Sequence, residues 1–197
     1  MLKIDKNYWE NLYKKNQLGW DIGYVSTPLK EYIDQLTNKN LKILIPGGGN
    51  GYEASYLYKK GFLNTYYLDY SEEAIKSFKN KNPNFPVSKI IKEDFFKHKG
   101  TYDLIFELAF FTSIIPDNRA KLADKICSLM NTGGKYVGLF FNHEFKLNKP
   151  PFGAMKETYL ELIRGKLKVK TFEIAYNSIK PRVGRELFFI FEKQIKQ

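Results

Sequence analysis

Residues 41–53, Leu-Lys-Ile-Leu-Ile-Pro-Gly-Gly-Gly-Asn-Gly-Tyr-Glu, join a short apolar run to a cluster of glycines. The apolar run predicts a buried strand that ends at Pro46, because proline cannot donate to a sheet ladder. Gly47, Gly49 and Gly51 follow at every second position, and a helical pattern begins after them. Glycines let a ligand approach the backbone, and the helix start offers free N–H groups. This order of elements predicts a cradle for a nucleoside.

A carboxylate follows the next predicted strand. Residues 62–68 form that strand, and Asp69 ends it, 18 positions after Gly51. A carboxylate in this place can accept hydrogen bonds from both hydroxyls of a ribose. The combination favours a nucleoside site over a tight turn beside a surface acid.

The rest of the chain alternates predicted helices and strands, which indicates an α/β fold. The predicted helices are 5–16 with Asp5 as N-cap, a helix from Thr27 as N-cap to about 36, a helix after Gly51, 71–81 with Ser71 as N-cap, 116–130 and 156–163. The further strands are 87–92, 102–108, 135–141, 167–176 and 185–192, of which the last two are predicted to be antiparallel. We expect one domain, residues 1–197, with a seven-stranded, mostly parallel sheet and helices on both faces.

Ligands of such sheets bind at the carboxyl ends of the strands. Gly47, Asp69, Asp94 and Glu107 all fall at this edge, as does the loop 142–153. A shared edge for five separate features supports a functional site there.

Composition limits the classes of function. Hydrophobic residues make up 43% of the chain, which excludes a disordered protein, and no run of 18 apolar residues predicts a membrane span. Residues 1–5 lack the pattern of a secretory signal. The single cysteine, Cys127, fits a reducing compartment, and we expect a cytoplasmic protein. The net charge is +11, but the lysines are scattered along the chain, so we do not expect a nucleic-acid partner.

Several motifs together resemble the thiopurine S-methyltransferase-like family, which includes halide and thiol methyltransferases. The resemblance covers about residues 8–192. It rests on Tyr8-Trp9-Glu10-x-x-Tyr13, Gly19-Trp20-Asp21-x-Gly23, Ile45-Pro46-Gly47-Gly48-Gly49-x-Gly51, Leu68-Asp69-Tyr70-Ser71-x-x-Ala74-Ile75, Asp94-Phe95-Phe96 and Tyr102-Asp103-Leu104-Ile105-Phe106-Glu107-x-x-Phe110-Phe111-x-x-Ile114-x-Pro116-x-x-Arg119. It implies a Rossmann-like class I methyltransferase with an N-terminal helical lid at residues 1–37. S-adenosyl-L-methionine would be the cofactor and S-adenosyl-L-homocysteine the product.

The resemblance also implies roles for individual residues. Aromatic residues of the lid would cover the cofactor, although packing in the core is the alternative for Trp9. The residues implied to bind the cofactor are Trp9, Tyr13, Trp20, Gly47, Gly49, Asp69, Tyr70, Asp94, Phe95, Glu107 and Leu108. The candidates for the acceptor pocket are Glu107, Leu108, Phe111, His143 and Phe152, with Phe110 beside them. Relatives often carry cysteine at Gly48 and Thr112 and tyrosine at Leu108, so the acceptor is the least transferable property.

Methyl transfer from a sulfonium requires proximity, alignment and a dry pocket rather than a strong base. A thiol acceptor reacts as the thiolate. His98 lies in a polar turn and is predicted to be solvated, whereas His143 follows the fifth strand and is a candidate to aid deprotonation. Two histidines and one cysteine, far apart in the chain, give no metal-ligand spacing, so we expect no metal.

The resemblance favours a small nucleophile as acceptor, and we expect a thiol or sulfide, as for a thiopurine or halide/thiol methyltransferase. Three alternatives remain open at this point: an RNA methyltransferase, a module that binds the cofactor without catalysis, and another reaction of the same cofactor such as aminopropyl transfer. Residues 149–152, Lys-Pro-Pro-Phe, imitate the motif of amino-methylating enzymes, but they follow the fifth strand and lack its amide side chain. No exposed apolar stripe predicts an oligomer, and we expect a monomer.

Overall fold

The fold contains seven strands and seven α-helices within residues 3–145 and 147–194, the part of the chain that the computed structural model describes. The helices are α1 (Lys6–Lys14), α2 (Thr27–Asp34), α3 (Tyr52–Lys59), α4 (Glu72–Lys81), α5 (Phe110–Ser113), α6 (Arg119–Leu129) and α7 (Lys156–Ile163). The strands are β1 (Ile43–Pro46), β2 (Thr65–Asp69), β3 (Ile90–Lys92), β4 (Tyr102–Leu108), β5 (Met130–Phe141), β6 (Leu167–Ile174) and β7 (Glu186–Lys193). None of these helices is long and apolar enough to cross a membrane.

The strands form one sheet in the order β3-β2-β1-β4-β5-β7-β6. The five strands from β3 to β5 run parallel, whereas β7 is antiparallel to both β5 and β6. The predicted seven-stranded, mostly parallel sheet is therefore confirmed. The winding reverses between β1 and β4, and such a switch point opens a crevice at the carboxyl ends of the strands.

Both faces of the sheet are covered by helices, as predicted. On one face, Leu29 of α2, Leu57 of α3 and Phe78 of α4 join a single apolar cluster. On the other face, Ile126 of α6 and Tyr159 of α7 belong to a second cluster. The sheet separates the two clusters, and its central strand β1 is apolar and buried at every residue because both faces are covered there.

The capping residues fix where several helices begin. The Asp5 carboxylate accepts the Tyr8 N–H at 3.2 Å, and the Ser71 hydroxyl accepts the Ala74 N–H at 3.1 Å, so both predicted N-caps are confirmed. The prediction for α2 was wrong by one residue. Its N-cap is Ser26, and Thr27 is the first helical residue, with its hydroxyl donating to the Asn177 carbonyl.

Strand boundaries differ from the predictions where local turns interrupt the pattern. β2 begins at Thr65 rather than at residue 62, and residues 87–89 form a 3₁₀ turn before β3. β5 begins at Met130, directly after α6, although this strand was predicted to begin at residue 135. The register between β4 and β5 shifts near Tyr102, so Gly133 and Gly134 lie in an irregular start of the strand.

A sharp turn after β4 was not predicted. Ala109 has φ of 62°, in the left-handed region that few non-glycine residues adopt. The chain then forms the single turn of α5 before the 3₁₀ turn at Pro116–Asn118. This turn decides which aromatic side chains after β4 face the crevice.

Candidate active site

A cleft with a volume of about 1670 Å³ opens at the carboxyl ends of the parallel strands. Residues 4–23 supply one wall, and we call this segment the cover. The remaining wall consists of Gly47 of the glycine loop (residues 47–51), the ends of β2 and β3, the turn after β4 and two loops of the C-terminal half. Of the predicted lid 1–37, residues 1 and 2 lie outside the described residues, and α2 packs into the core through Leu29 and Ile33.

The backbone conformation of the glycine loop favours glycine at two positions. Gly47 and Gly49 have φ of 57° and 54°, in the left-handed region. A Cβ added to Gly47 would lie 2.3 Å from Cδ2 of Phe110, so no larger residue fits. Gly47 lines the cleft. Gly49 does not line it; its N–H instead donates to the Asp69 carboxylate at 3.0 Å.

Asp69 ends β2 at the cleft wall and is buried. One carboxylate oxygen accepts the Gly49 N–H, and the other accepts the Ser71 N–H at 2.9 Å. Burial raises the pKa of Asp69 to about 6, although these backbone donors favour its charged form. Each oxygen keeps a free lone pair. The carboxylate is therefore fixed in place and still able to accept from a ligand.

The turn after β3 places Asp94 and Phe95 in the cleft wall, as predicted. Asp94 accepts the Phe96 N–H at 2.9 Å, which orders the turn. Phe95 packs edge-on against Phe110, with ring centroids 5.1 Å apart. This part of the wall therefore combines a fixed carboxylate with aromatic surface.

His98 contacts this turn through Glu93. The prediction that His98 is solvated was wrong. The side chain is buried; Nδ1 lies 2.7 Å from Oε2 of Glu93, and Nε2 lies 2.8 Å from the Tyr102 hydroxyl. Glu93 itself lines the cleft. Tertiary packing satisfies both ring nitrogens, which sequence spacing alone did not indicate.

The aromatic residues predicted to cover the cofactor lie together in the cover. The ring centroid of Trp20 is 5.3 Å from that of Trp9 and 6.0 Å from that of Tyr13. All three rings line the cleft, as does Tyr70 after β2. Burial, with a smaller effect of nearby Asp69, raises the pKa of Tyr13. Tyr13 is thus neutral at physiological pH and presents a hydroxyl close to Gly49.

The end of the cleft beyond Gly47 is apolar with a cationic rim. Leu108 and Phe110 come from the turn after β4, and Phe141 comes from the end of β5. Arg182 and Arg185, before β7, also line this end. Such a lining suits an apolar or soft ligand that carries negative charge.

Two predicted pocket residues lie elsewhere. Phe111 is buried in the core, where its ring centroid is 4.8 Å from that of Phe140. Phe152 is not part of the cleft wall; its N–H donates to the Thr112 carbonyl at 2.6 Å, and its carbonyl accepts from Arg119. The left-handed turn at Ala109 points Phe110, rather than Phe111, to the cleft.

Glu107 also lies behind the wall rather than in it. The carboxyl is buried, and one oxygen accepts the Phe111 N–H at 2.6 Å. The side chain borders a separate small cavity of about 20 Å³ beneath the glycine loop, with Glu53 on the same cavity. Burial raises the pKa of Glu107 to about 8, so the neutral acid predominates at pH 7.

His143 does not line the cleft itself but contacts Arg185, which does. Its Nε2 lies 2.7 Å from Nη2 of Arg185, which donates to it. Partial burial, and then the charge of Arg185, lower the pKa of His143. The imidazole is therefore neutral and occupied in orienting the arginine.

Some residues of the site were missed in the sequence. Arg182 donates to the Trp20 carbonyl at 2.9 Å and so joins the C-terminal loop to the cover. Asp21 accepts from Asn50 and from the Tyr52 hydroxyl, which joins the cover to the glycine loop. The motif at 19–23 contained Asp21, whereas nothing local marked Arg182 or Arg185. Within residues 3–145 and 147–194, no three His, Cys, Asp or Glu side chains are grouped to hold a metal ion.

Comparison with known proteins identifies the family. The model of the family described as thiopurine S-methyltransferase (TPMT) matches residues 4–195. Probable thiol methyltransferase 2 of Arabidopsis thaliana is 26% identical over 90% of this chain and 81% of its own length. Thiocyanate methyltransferase 1 of the same plant is 24% identical over 93% of this chain and 83% of its own length.

A solved structure confirms the fold. The 1,6-didemethyltoxoflavin-N1-methyltransferase of Burkholderia thailandensis, with bound 1,6-didemethyltoxoflavin and S-adenosylhomocysteine, has a TM-score of 0.80. The likeness spans 98% of this chain and 88% of that one at 13% identity, so it shows the fold alone.

The family match spans almost the whole chain, and the Rossmann-like class I fold predicted from the sequence is present. The protein is an S-adenosylmethionine-dependent methyltransferase, and S-adenosylmethionine is its cofactor. The chain belongs to the thiopurine S-methyltransferase family.

Proposed function

We propose that the protein transfers a methyl group from S-adenosylmethionine to a small thiol or sulfide. The observation that carries this proposal is the division of one cleft into two chemically different halves. Along the sheet, Asp69 after β2 and Asp94 after β3 lie on one side of Gly47, and Leu108, Phe141 and Arg185 from β4, β5 and the loop before β7 lie on the other. A nucleoside donor and a soft, ionisable acceptor are the pair that such a cleft suits.

The first half suits the nucleoside part of the cofactor. Asp69 would accept from the ribose hydroxyls, because it is fixed by two backbone donors and retains free lone pairs. Asp94 would accept from the adenine amino group, and Phe95 would offer its backbone N–H to the ring. Gly47 lines the cleft without a side chain, so its backbone would be open to the methionine part.

The cover suits the exclusion of water. Trp9, Tyr13 and Trp20 line the cleft from the cover. S-adenosylmethionine supplies a methyl group already activated by a sulfonium charge, so the chain must align donor and acceptor and keep water out. Tyr70 and Leu108 complete the wall around the donor.

The second half suits an acceptor that reacts as an anion. Phe110 and Phe141 make the surface apolar, and Arg185 would favour the ionised form of a thiol within reach. His143 would hold Arg185 in place instead of removing a proton. The names of the Arabidopsis relatives, a thiol methyltransferase and a thiocyanate methyltransferase, support the same class of acceptor.

We further propose that the chain acts as one domain, as a monomer and in the cytoplasm. A single sheet carries residues from both apolar clusters, which supports one domain. The single cysteine supports a reducing compartment. An RNA acceptor has only the net charge of +11 in its favour, and that charge is spread over the chain.

A methyl-transfer assay tests this function. The purified chain is incubated with S-adenosylmethionine and, separately, sulfide, methanethiol, thiophenol, a thiopurine, iodide and total RNA. S-adenosylhomocysteine and the methylated product are both measured. We expect turnover with at least one thiol or sulfide. Labelling of RNA alone would overturn the proposed acceptor, and cofactor binding without any turnover would favour a non-catalytic module.

A further inference from the structure

The start of α4 lies between the cover and the predicted ribose acid. A helix leaves its first backbone N–H groups without partners inside the helix, and other groups must accept from them. In α4 the third of these, on Ala74, donates to the Ser71 hydroxyl at 3.1 Å. The first two, on Glu72 and Glu73, need an acceptor from another part of the chain.

Glu10 of α1 is that acceptor. Its Oε1 accepts the Glu72 N–H at 2.6 Å, and its Oε2 accepts the Glu73 N–H at 3.2 Å. The side chain is buried, with 9% of the residue exposed, although it carries a carboxyl. A carboxylate with both oxygens on the N–H groups of a helix start gains from charge-assisted hydrogen bonds and from the helix dipole.

Glu10 belongs to the same helix as the rings that cover the cleft. Trp9 precedes it, and Tyr13 lies three residues further on, one turn away in α1. An exposed ion pair of Lys6 with Glu72, at 3.0 Å, accompanies the Glu10 contacts. The position of α1 over the cleft is thus tied to the first turn of α4.

Asp69 also accepts a hydrogen bond from the start of this segment. Its Oδ1 accepts the N–H of Ser71, the residue immediately before α4, at 2.9 Å. Asp69 and Glu10 therefore hold successive backbone groups of one short segment. The charge of Glu10 is also among the groups that raise the pKa of Asp69, after its burial, so the two carboxylates repel each other.

We propose that Glu10 is a positioning residue that couples the cover to the cofactor, by holding the first turn of α4 against the turn that carries Asp69. The proposal rests on the proposed function, because it takes Asp69 as the acceptor of the ribose hydroxyls. Donors on a bound ribose offset the negative charge of Asp69 and so reduce its repulsion of Glu10. Closure of the cover and binding of the nucleoside then strengthen each other.

The cover carries its own spectroscopic probe. The chain has two tryptophans, Trp9 and Trp20, and both line the cleft from the cover. Quenching of tryptophan fluorescence by acrylamide therefore reports on the cover. We would measure it for wild type, Glu10→Ala and Glu10→Gln, with and without S-adenosylmethionine. Glu157→Ala, at an exposed position in the first turn of α7, is the matched control.

We expect stronger quenching in cofactor-free Glu10→Ala than in wild type. Its affinity for S-adenosylmethionine should be about tenfold lower, because the loss of a charged acceptor at a helix start has an effect of that size. Glu10→Gln keeps one acceptor oxygen and should recover part of both effects. Glu157→Ala should behave as wild type. The double variant with Asp69→Asn should lose less affinity than the two single losses combined, because the residues act through one turn.

Two results would overturn the proposal while wild type binds the cofactor. One is wild-type quenching and affinity in Glu10→Ala. The other is additive losses in the double variant, which would make Glu10 an independent structural contact. A wild-type chain that binds no S-adenosylmethionine in the same titration would overturn the proposed function itself, and the coupling with it.

Discussion

Oδ2 of Asp69 lies 3.0 Å from the backbone nitrogen of Gly49, so the acid at the end of β2 and the glycine loop after β1 hold each other in place. The two residues are 20 positions apart in the chain but adjacent in the sheet, because β1 and β2 are parallel neighbours. This hydrogen bond fixes the carboxylate at the wall of the cleft, in the half that we propose for the methyl donor.

Replacement of Asp69 by Asn should weaken binding of S-adenosylmethionine. The variant keeps the size of the side chain but loses the charge that strengthens hydrogen bonds from ribose hydroxyls, worth about 1.5–3 kcal/mol each. Titration calorimetry should show a dissociation constant at least tenfold higher than that of wild type. Asp124→Asn, at an exposed position on α6, should bind as wild type. Equal affinity in Asp69→Asn and wild type would remove Asp69 from the site.

The affinity for the cofactor should fall at acid pH. Because burial raises the pKa of Asp69 to about 6, its carboxyl is charged above that pH and neutral below it in the free protein. Ribose hydroxyls donate best to the charged form, so affinity should be level near pH 8 and fall by up to tenfold per unit below about pH 6. Fluorescence titrations from pH 5 to pH 8 measure this, and Asp69→Asn should lack the step. A step of the same size in the variant would assign it to another group.

Replacement of Arg185 by Gln should affect the acceptor and spare the cofactor. Arg185 lines the apolar half of the cleft and is held by His143. Loss of its charge should raise KM for an ionised thiol about tenfold, or about 1.4 kcal/mol, with little change in the affinity for S-adenosylmethionine. Arg164→Gln, on the exposed end of α7, is the control. A change in cofactor affinity without a change in KM would place the acceptor elsewhere.

Glu107 should make the stability of the fold depend on pH. Burial raises its pKa from 4.5 to about 8, so between these values the folded state binds more protons than the unfolded state. The contribution of Glu107 to stability is therefore present below pH 4.5 and is lost as pH rises through 8. Glu107→Gln has no carboxyl that titrates at this position. The free energy of unfolding of wild type should therefore fall relative to that of the variant as pH rises from 4.5 to 8. Urea unfolding measures these free energies. If wild type and Glu107→Gln show the same dependence of stability on pH, Glu107 is not a buried neutral acid.

The features that could be predicted from sequence are those that short segments determine. The order of strands and helices, the N-caps Asp5 and Ser71, and the place of Asp69 after β2 all depend on local periodicity and capping. Parallel winding then brings the strand ends to one edge without further information. The donor half of the cleft follows from this reasoning.

The acceptor half could not be predicted in the same way. Phe110 and Phe111 are neighbours of identical type, and only the left-handed conformation of Ala109 decides that Phe110 faces the cleft. Arg185 reaches the site from a loop more than 70 positions beyond that turn, so no local pattern joined them. The prediction that His98 is solvated was wrong for a related reason. Its partner Tyr102 belongs to β4, and the burial of His98 follows from tertiary packing.

The most direct measurement is a crystal structure of the protein with S-adenosylhomocysteine and a thiol acceptor. We expect both ribose hydroxyls within hydrogen-bond distance of the Asp69 carboxylate and the thioether sulfur beside Gly47 and Leu108. The sulfur of the acceptor should lie between that point and Arg185. A nucleoside bound without contact to Asp69, or an acceptor bound outside the half lined by Phe110 and Phe141, would contradict this expectation.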